Sequence, residues 1–484
     1  MTRDELLGTL ETDATIDTAS RLIQLAVTWL AQASAGEGAV SSLTTPTAVA
    51  ARFDEPMPVQ GHDLAYVEAR LRDDVLRDAN RLSHPMYMGH QVSAPLPIAV
   101  WTDALASALN NGMAVMEMSP TITHVEQRVV RWMCDLAGLG PASGGTFTSG
   151  GTEATLTALL AARARLLPDS WEQGLGADLP VVVCGEHAHY AVSRAVGILG
   201  LGVRQVVTVP SATYRMDAAA LPGVLSRLKE VGRPVMAVIA TSGHTATGSF
   251  DDLARIADAC EPHGIWLHVD GAHGASALLS TEHRHRLRGI ERADSLAWDP
   301  HKMMLMPLAA GMLLVRDERR LEHAFAQQAP YLFHATGTEP SFDMGTRSLL
   351  CSRRADALKV WVALQRYGRS GIGGFYDYLF ELAVGLHQRL SAHPAFVPLH
   401  EPETNILCFR YIGSGVLGEE ELDVLNRELR ERFNRSGEGW ITTTSLGGRR
   451  VLRVTIINPR TTPAHLDQLV AGLDEVGRGL EGVG

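Results

Sequence analysis

The chain has 484 residues, of which 45% are hydrophobic and 20% are charged, and its formal net charge is −11. This length and composition are those of a globular protein with a large core and more than one domain. The acidic balance disfavours a nucleic-acid-binding protein, because such proteins draw much of their affinity from basic side chains on phosphates.

The cysteines and the apolar runs bear on the compartment of the protein. Five scattered cysteines without a CxxC spacing indicate reduced thiols in a cytoplasmic protein, not a disulfide framework or a metal site. The first residues, MTRDELLGTLETDATID, are acidic and lack the apolar core of a signal peptide. The longest apolar run, residues 303–315, is too short to cross a membrane, and Pro307 interrupts it. We therefore expect no membrane segment.

The predicted elements fall into three regions. Residues 1–80 predict a helical N-terminal segment, and residues 373–484 predict a small domain that mixes helices and strands. Between them, residues 81–372 form a predicted large domain. In it, amphipathic helices lie between several of the short β-rich runs at residues 180–184, 204–209, 235–240, 265–269, 295–298 and 311–315. This alternation predicts an α/β fold with a mainly parallel sheet and helices on both of its faces.

Polar side chains follow the predicted strands at the points where the strands end. In open α/β sheets, ligands collect at the carboxyl ends of the strands, so these side chains are expected to meet at one edge. They are His187, His189, Thr241, Ser242, Asp270 and Lys302.

The stretch GGTFTSGGTEATLTALLAARARLL, residues 144–167, has the character of a phosphate site. A turn rich in glycine and hydroxyl groups opens directly into a helix, whose free N–H groups and positive dipole potential favour a phosphate. It is not a Walker A loop, because no lysine follows the glycine. An ordinary helix start, with Thr152 as N-cap and Glu153 in the first turn, explains the stretch equally well by itself.

Lys302 is one of only three lysines in a chain whose basic residues are nearly all arginine. Arginine stays protonated, whereas a deprotonated lysine amine can attack a carbonyl and form a Schiff base. A lone lysine in an apolar loop is more often structural, with its stem buried and its ammonium group at the surface. However, a phosphate site, an acid, histidines and a lysine at one edge together fit pyridoxal 5′-phosphate (PLP).

Five segments carry a resemblance to a known family: TSGGTEATLTALLAAR, HAHYAV, HVDGAHGA, DPHKMM and LRVTIINPRTT. They resemble the PLP-dependent group II amino-acid decarboxylases, which include the glutamate, aromatic-L-amino-acid and 2,4-diaminobutyrate decarboxylases. The resemblance runs from about residue 80 to the C-terminus. It implies the aspartate-aminotransferase-like fold (fold type I) and decarboxylation of an L-amino acid to its amine and CO2. It also implies a homodimer with the active site at the subunit interface.

The resemblance assigns roles to individual residues. Lys302 would hold PLP as a Schiff base, and Asp270 would pair with the pyridinium nitrogen. His189 would stack on the ring and position the substrate carboxylate, with Ala272 against the other ring face. The remaining cofactor-binding positions are Gly150, Gly151, Thr152, Thr241 and His301.

The resemblance also implies three residues near the substrate: His90, His334 and Arg453. In the family, a loop corresponding to residues 331–350 commonly carries a tyrosine that protonates Cα, and here Thr338 stands near that position. His334 or His189 would then deliver the proton. Without such a donor, oxygen would intercept the reaction and give an aldehyde, ammonia and peroxide.

Two positions depart from the family pattern. Asp299 stands where several relatives have asparagine near the phosphate, and an acid there is unfavourable unless it faces elsewhere, so Asp299 is not assigned as a ligand. His273 stands where many relatives have tyrosine.

Other functions on the same scaffold stay open at this point. They are an aldehyde-forming oxidative decarboxylase or deaminase, an aminotransferase, another lyase and a non-catalytic PLP-binding protein. The motifs HAHYAV and DPHKMM favour the decarboxylase.

Overall fold

A computed structural model describes residues 2–325, 342–415 and 417–481. The helices are α1 (Arg3–Asp13), α2 (Ile16–Ser34), α3 (Pro46–Ala51), α4 (Leu64–Arg70), α5 (Pro97–Leu109), α6 (Pro120–Ala137), α7 (Gly151–Leu166), α8 (Ser170–Gln173), α9 (Ala191–Ile198), α10 (Leu221–Glu230), α11 (Leu253–Cys260), α12 (Arg319–Ala324), α13 (Ala357–Ala392), α14 (Glu419–Ser436) and α15 (Pro463–Glu481). The strands are β1 (Gly144–Thr148), β2 (Val181–Gly185), β3 (Val206–Val209), β4 (Ser211–Ala212), β5 (Arg215–Met216), β6 (Val235–Thr241), β7 (Trp266–Asp270), β8 (Ser295–Trp298), β9 (Gly311–Val315), β10 (Phe396–Pro398), β11 (Ile406–Tyr411), β12 (Thr442–Leu446) and β13 (Arg449–Thr455).

The chain divides into two compact units. Unit 1 comprises Met1–His90, Gly385–Leu399 and Cys408–Gly484, and unit 2 comprises Gln91–Val384 and His400–Leu407. Within the described ranges, no helix combines the length and the apolar character needed to cross a bilayer.

Unit 2 is built on a seven-stranded sheet with the order β1-β9-β8-β7-β6-β2-β3. Strands β3, β2, β6, β7 and β8 run parallel, and β9 runs antiparallel to both β8 and β1. The predicted mainly parallel α/β sheet is thus confirmed, with β9 running opposite to the other six strands. The parallel strands need crossover connections, and the helices between them supply these.

Helix α7 packs along this sheet through small apolar side chains. Ala154 and Ala158 contact the buried side chains Leu313 and Val315 of β9, and Leu159 lies in the core cluster over β2 and β6. Alanines on this face let the helix backbone come close to the strands, which fixes the position of the helix N-terminus at the sheet edge.

One element differs from the sequence prediction. Residues 144–148 are not a turn but strand β1, which is buried along its whole length and pairs with β9. The glycines serve close packing, because a Cβ on Gly145 would lie 2.2 Å from the Leu313 carbonyl oxygen. The predicted turn is therefore limited to Ser149 and Gly150.

A four-stranded sheet forms from the C-terminal part of the chain. Its order is β10-β11-β13-β12, with antiparallel pairing of β10 with β11 and of β12 with β13. Within unit 1, α14 packs against β13 and against α15. The predicted mixture of helices and strands after residue 375 is confirmed.

Candidate active site

The strand ends of unit 2 bring together four of the six predicted polar residues, His189, Thr241, Asp270 and Lys302, whereas His187 and Ser242 do not line their common cavity. Thr241 at the end of β6 is in register with Asp270 at the end of β7, which in turn is in register with Ala297 of β8. Lys302 follows β8 in a turn whose backbone is closed by a hydrogen bond from Lys302 N to Asp299 O, of 3.0 Å. The parallel register therefore places the acid and the hydroxyl on neighbouring strands, as the sequence predicts.

These side chains line one cavity of about 340 Å³. All nine residues that the sequence assigned to the cofactor line it: Gly150, Gly151, Thr152, His189, Thr241, Asp270, Ala272, His301 and Lys302. Its size is in the range of small-molecule sites. The other lining residues are Ser149, Gly243, Thr245, His273, Asp299 and Leu308.

Asp270 is the acid of this cavity. Its side chain is only 8% exposed, and its Oδ1 accepts a hydrogen bond of 3.2 Å from Ala272 N. This bond orients the carboxylate at the strand end. A buried carboxylate with few partners is suited to bind a protonated ring nitrogen of a ligand.

His189 is held by its own backbone turn. Its Nδ1 accepts a hydrogen bond of 3.2 Å from Ala191 N, at the start of α9. Burial lowers the pKa of His189, and the charge of Asp270 opposes this effect only in part. The ring is therefore neutral at neutral pH, with its proton on Nε2, which can donate a hydrogen bond to an acceptor in the cavity.

The N-terminus of α7 forms the glycine-lined end of the cavity. The helix begins at Gly151 with Gly150 as its N-cap, so Thr152 is not the N-cap. Glu153 lies in the first turn and accepts hydrogen bonds from Ser149 N (2.8 Å) and Ser149 Oγ (2.7 Å). A Cβ on Gly151 would lie 2.9 Å from Ala272 Cβ, so only glycine fits there.

Asp299 faces this helix terminus. Its Oδ2 accepts a hydrogen bond of 3.1 Å from Gly151 N, and it lies 3.3 Å from Lys302 Nζ and 3.4 Å from His301 Nε2. Burial lowers the pKa of His301, and its Nδ1 accepts from Ala310 N, which leaves the ring proton on Nε2. The sequence analysis did not assign Asp299 as a ligand, but its carboxylate faces the same helix terminus that the resemblance assigns to the phosphate.

The other unpredicted lining residues come from the same post-strand segments. Gly243 and Thr245 follow Thr241 in TSGHTATG, so extending the strand-end rule by four residues would have found them. His273 is buried, and its Nε2 lies 2.7 Å from Asn405 Oδ1. Asn405 is 132 residues away along the chain, and no local pattern indicates that pairing.

Two of the residues assigned to the substrate belong to unit 1. The centres of the His90 and Trp440 rings lie 4.9 Å apart. The Arg430 guanidinium carbon lies over the same Trp440 ring, 5.3 Å from its centre. Burial lowers the pKa of His90, and the charges of Arg453 and Arg430 add to this effect. His334 and Thr338 lie outside the described residues.

The geometry fits PLP. A lysine, a buried acid at a strand end, a histidine and a glycine-lined helix N-terminus share one cavity of suitable size. A Schiff-base lysine, a carboxylate for the ring nitrogen and a phosphate site are the groups that this cofactor requires. Of the other lysines, Lys359 is buried in ion pairs with Asp103 and Asp356, and Lys229 is exposed on α10.

Comparisons with known proteins agree with this chemistry. The model of the pyridoxal-dependent decarboxylase conserved domain matches residues 46–412. The chain is 32% identical to L-2,4-diaminobutyrate decarboxylase of Rhizobium meliloti over 88% of this chain and 85% of that protein. It is 31% identical to human cysteine sulfinic acid decarboxylase, over 88% of this chain and 89% of that protein. A crystal structure of mouse CSAD superimposes with a TM-score of 0.90 at 28% identity, covering 96% of this chain and 99% of that chain.

Proposed function

The chain belongs to the pyridoxal-dependent decarboxylase family, and from this premise we propose which of its residues perform the reaction. The enzyme uses PLP to decarboxylate an amino acid to the corresponding amine. We assign Lys302, Asp270 and His189 as catalytic residues. The observation that supports the assignment is their convergence in one cavity, each in or directly after the carboxyl end of a strand: β2 for His189, β7 for Asp270 and β8 for Lys302.

Each of these residues has a defined task in the reaction. When bound, PLP supplies an electron sink for the bond between Cα and the substrate carboxylate. Lys302 Nζ would bind the cofactor covalently and would be displaced by the substrate amine. The Asp270 carboxylate keeps a proton on the ring nitrogen, and the Nε2–H of His189 donates a hydrogen bond that orients the leaving carboxylate.

The remaining cavity residues hold the cofactor. Gly150, Gly151 and Thr152 bind the phosphate at the α7 N-terminus, with His301 beside them and Thr241 and Ala272 against the ring. After CO2 leaves, a proton has to reach Cα. Among the described residues His189 is the candidate for this transfer, and His334 is the candidate outside them.

Borohydride reduction of the holoenzyme tests the assignment. The label is expected on Lys302 after peptide mapping, and Lys302→Arg is expected to be inactive, because the guanidinium is a poor nucleophile. The matched control is Lys229→Arg, whose lysine is exposed on α10 and which should keep full activity. Label on Lys229 or Lys359 would overturn the assignment.

The products distinguish decarboxylation from oxidation. Wild-type enzyme is expected to release CO2 and amine in equal amounts, without peroxide. Aldehyde and peroxide as the main products would instead identify an aldehyde-forming oxidative enzyme on the same scaffold.

We further propose that the substrate carries an acidic side chain. Arg453 on β13 is 7% exposed, and its Nη2 donates to Thr455 Oγ1 at 3.2 Å. Within the described chain its Nε has no hydrogen-bond partner and no carboxylate pairs with its guanidinium. A buried charge without a counter-charge is unfavourable, so a ligand carboxylate or sulfinate would stabilise it. The resemblance assigns this position to the substrate.

A substrate panel tests this class. Aspartate, glutamate, cysteine sulfinate, 2,4-diaminobutyrate, ornithine and aromatic amino acids are compared by CO2 release. The acidic substrates are expected to have the highest kcat/KM, and Arg453→Met is expected to raise their KM by roughly tenfold or more, since a buried ion pair is lost. A preference for 2,4-diaminobutyrate in the wild type would contradict the proposal.

We also propose that the enzyme is a cytoplasmic homodimer. Apolar side chains of α1 and α2 are exposed in the single chain, which supports an interface with a second copy. The five cysteines are free thiols, which supports a reducing compartment. Cell fractionation checks the location, and a purely extracellular or periplasmic distribution would contradict it.

A further inference from the structure

Asp299 lies at the anion-binding end of the cavity. Its Oδ2 takes the hydrogen bond of Gly151 N at 3.1 Å and lies 3.3 Å from Lys302 Nζ and 3.4 Å from His301 Nε2. These are one backbone N–H of a helix terminus, one cation and one imidazole N–H. The same set of donors would attract a phosphate.

The carboxylate is enclosed where it lies. The Asp299 side chain is 2% exposed, and its Oδ1 has no hydrogen-bond partner among the described residues. A Cβ on Gly311 would lie 2.9 Å from Oδ1, and a Cβ on Gly151 would lie 3.3 Å from Oδ2. The backbone of Asp299 is fixed as well, because its N–H donates to Ala272 O and its carbonyl accepts from Lys302 N.

A phosphate and this carboxylate would compete for the same hydrogen-bond donors. Two anions a few ångströms apart repel each other strongly in a site that excludes water, and each weakens the hydrogen bonds of the other. The carboxylate also forms an ion pair with the ammonium group of Lys302, whose amine has to react with the cofactor aldehyde.

We propose that Asp299 is an internal competitor for the cofactor phosphate, which makes PLP binding weaker and more readily reversible than an uncharged residue would. The proposal rests on the proposed role of Lys302 as the PLP-binding residue. Asp299 is in this sense a residue that sets the affinity for the cofactor, not a catalytic residue. Its effect acts on phosphorylated ligands and spares their unphosphorylated analogues.

The test measures the affinity of the apoenzyme for PLP and for pyridoxal, which lacks the phosphate. Absorbance of the lysine adduct gives the Kd of each aldehyde for the wild type and for Asp299→Asn, which keeps the size of the side chain and an acceptor for Gly151 N. The Kd for PLP is expected to fall by about tenfold or more, because the repulsion between like charges is removed. The Kd for pyridoxal is expected to change by less than about threefold. Pyridoxal has no phosphate to be repelled, so it senses only the loss of the negative charge beside Lys302.

A matched control is Asp294→Asn. Asp294 is half-buried, and its Oδ2 accepts from Leu267 N at 2.8 Å, near the start of β7 and away from the cavity. This change of one carboxylate to an amide should leave both Kd values unchanged. Inorganic phosphate should also bind the Asp299→Asn apoenzyme more tightly than it binds the wild-type apoenzyme.

Three outcomes would overturn the proposal. PLP binding that is unchanged or weaker in Asp299→Asn would make the carboxylate a neutral or supporting group. An equal gain for PLP and pyridoxal would locate the effect at the Lys302 amine. Absence of a lysine adduct in the wild type with either aldehyde would overturn the proposed function itself. Asp299→Ser, measured in parallel, provides the same comparison if the asparagine variant does not fold.

Discussion

At the level of single residues, Asp270→Asn removes the charge of the Asp270 side chain and keeps its shape. Asp270→Asn can still accept the hydrogen bond from Ala272 N, so PLP binding should persist. The amide has no charge to hold a proton on the ring nitrogen, and turnover should fall by roughly 10²–10³-fold, the range for losing one electrostatic stabiliser. CO2 release from PLP-saturated protein measures this, and near-normal turnover would contradict the role of Asp270.

The surroundings of Gly151 leave no room for a side chain. Gly151→Ala would bring a Cβ to 2.9 Å from Ala272 Cβ and to 3.3 Å from Asp299 Oδ2, so the helix terminus has to shift. The PLP affinity of the apoenzyme should fall by about tenfold or more, measured by absorbance titration. Gly223→Ala on α10 is the control, because its nearest neighbour is the flexible tip of Arg227 at 3.9 Å. Equal affinities for the two variants would contradict this reading.

At the scale of elements, His244 and Asp251 join two loops that carry cavity residues. His244 Nε2 lies 2.9 Å from Asp251 Oδ1, and His244 Nδ1 lies 3.3 Å from the His187 carbonyl oxygen. Both ring nitrogens thus face acceptors, which favours the doubly protonated ring. Asp251 also accepts from Thr241 N at 2.7 Å. The pair therefore ties the segment after β2 to the segment after β6.

This pair predicts a pH dependence of stability. Burial alone lowers the pKa of His244, but the hydrogen bond and charge of Asp251 outweigh it and raise the pKa above its ordinary value. A raised pKa gives stability that is fully present below the unfolded value of about 6.5 and is lost as the pH rises through the folded value. Thermal unfolding from pH 6 upward should show this loss in the wild type and a smaller one in His244→Asn. The exposed His285→Asn should behave as the wild type.

Glu126 and Arg353 connect α6 to the segment before α13. The guanidinium donates two hydrogen bonds, of 2.7 and 2.5 Å, to the fully buried carboxylate, which also accepts from Phe147 N of β1. Glu126→Gln leaves a buried cation without its partner and should lower the free energy of unfolding by about 3–5 kcal/mol. Urea denaturation measures this.

The matched control for that pair lies at the surface. Asp467 pairs with Arg389 while its own side chain is 63% exposed. Asp467→Asn should lower the free energy of unfolding by far less than Glu126→Gln does, because solvent screens exposed pairs. Equal losses in the two variants would mean that burial of Glu126 does not decide the strength of its ion pair.

At the scale of the whole molecule, the exposed apolar side chains of α2 support the proposed homodimer. Leu22, Ile23 and Val27 are 36–49% exposed, and Thr18 and Ala33 are the buried residues of this helix. Replacing Leu22 and Ile23 by glutamate should raise the dimer dissociation constant by roughly tenfold or more, because charges would enter an apolar interface. Sedimentation measures this, with Val231→Glu, on an exposed residue after α10, as the control. An active monomeric wild type would contradict the proposed dimer.

Local patterns in the sequence determined much of this protein. Near-continuous apolar runs with polar residues directly after them predicted β2, β6, β7 and β8 and the residues Thr241, Asp270 and Lys302 at their ends. These predictions succeeded because a parallel sheet aligns strand ends, so that short-range order along the chain becomes proximity in space. The motifs then predicted the family, which the comparisons confirm.

Tertiary structure alone decided the features that depend on distant partners. Residues 144–148 form a strand because β9 pairs with them, although their glycines are typical of a turn. Asp299 faces Gly151, 148 residues away, because the turn after β8 is packed against the α7 terminus. The pairs Glu126–Arg353 and His273–Asn405 join residues 227 and 132 positions apart. No periodicity encodes such contacts, because they depend on which surfaces the completed sheet and its helices bring together.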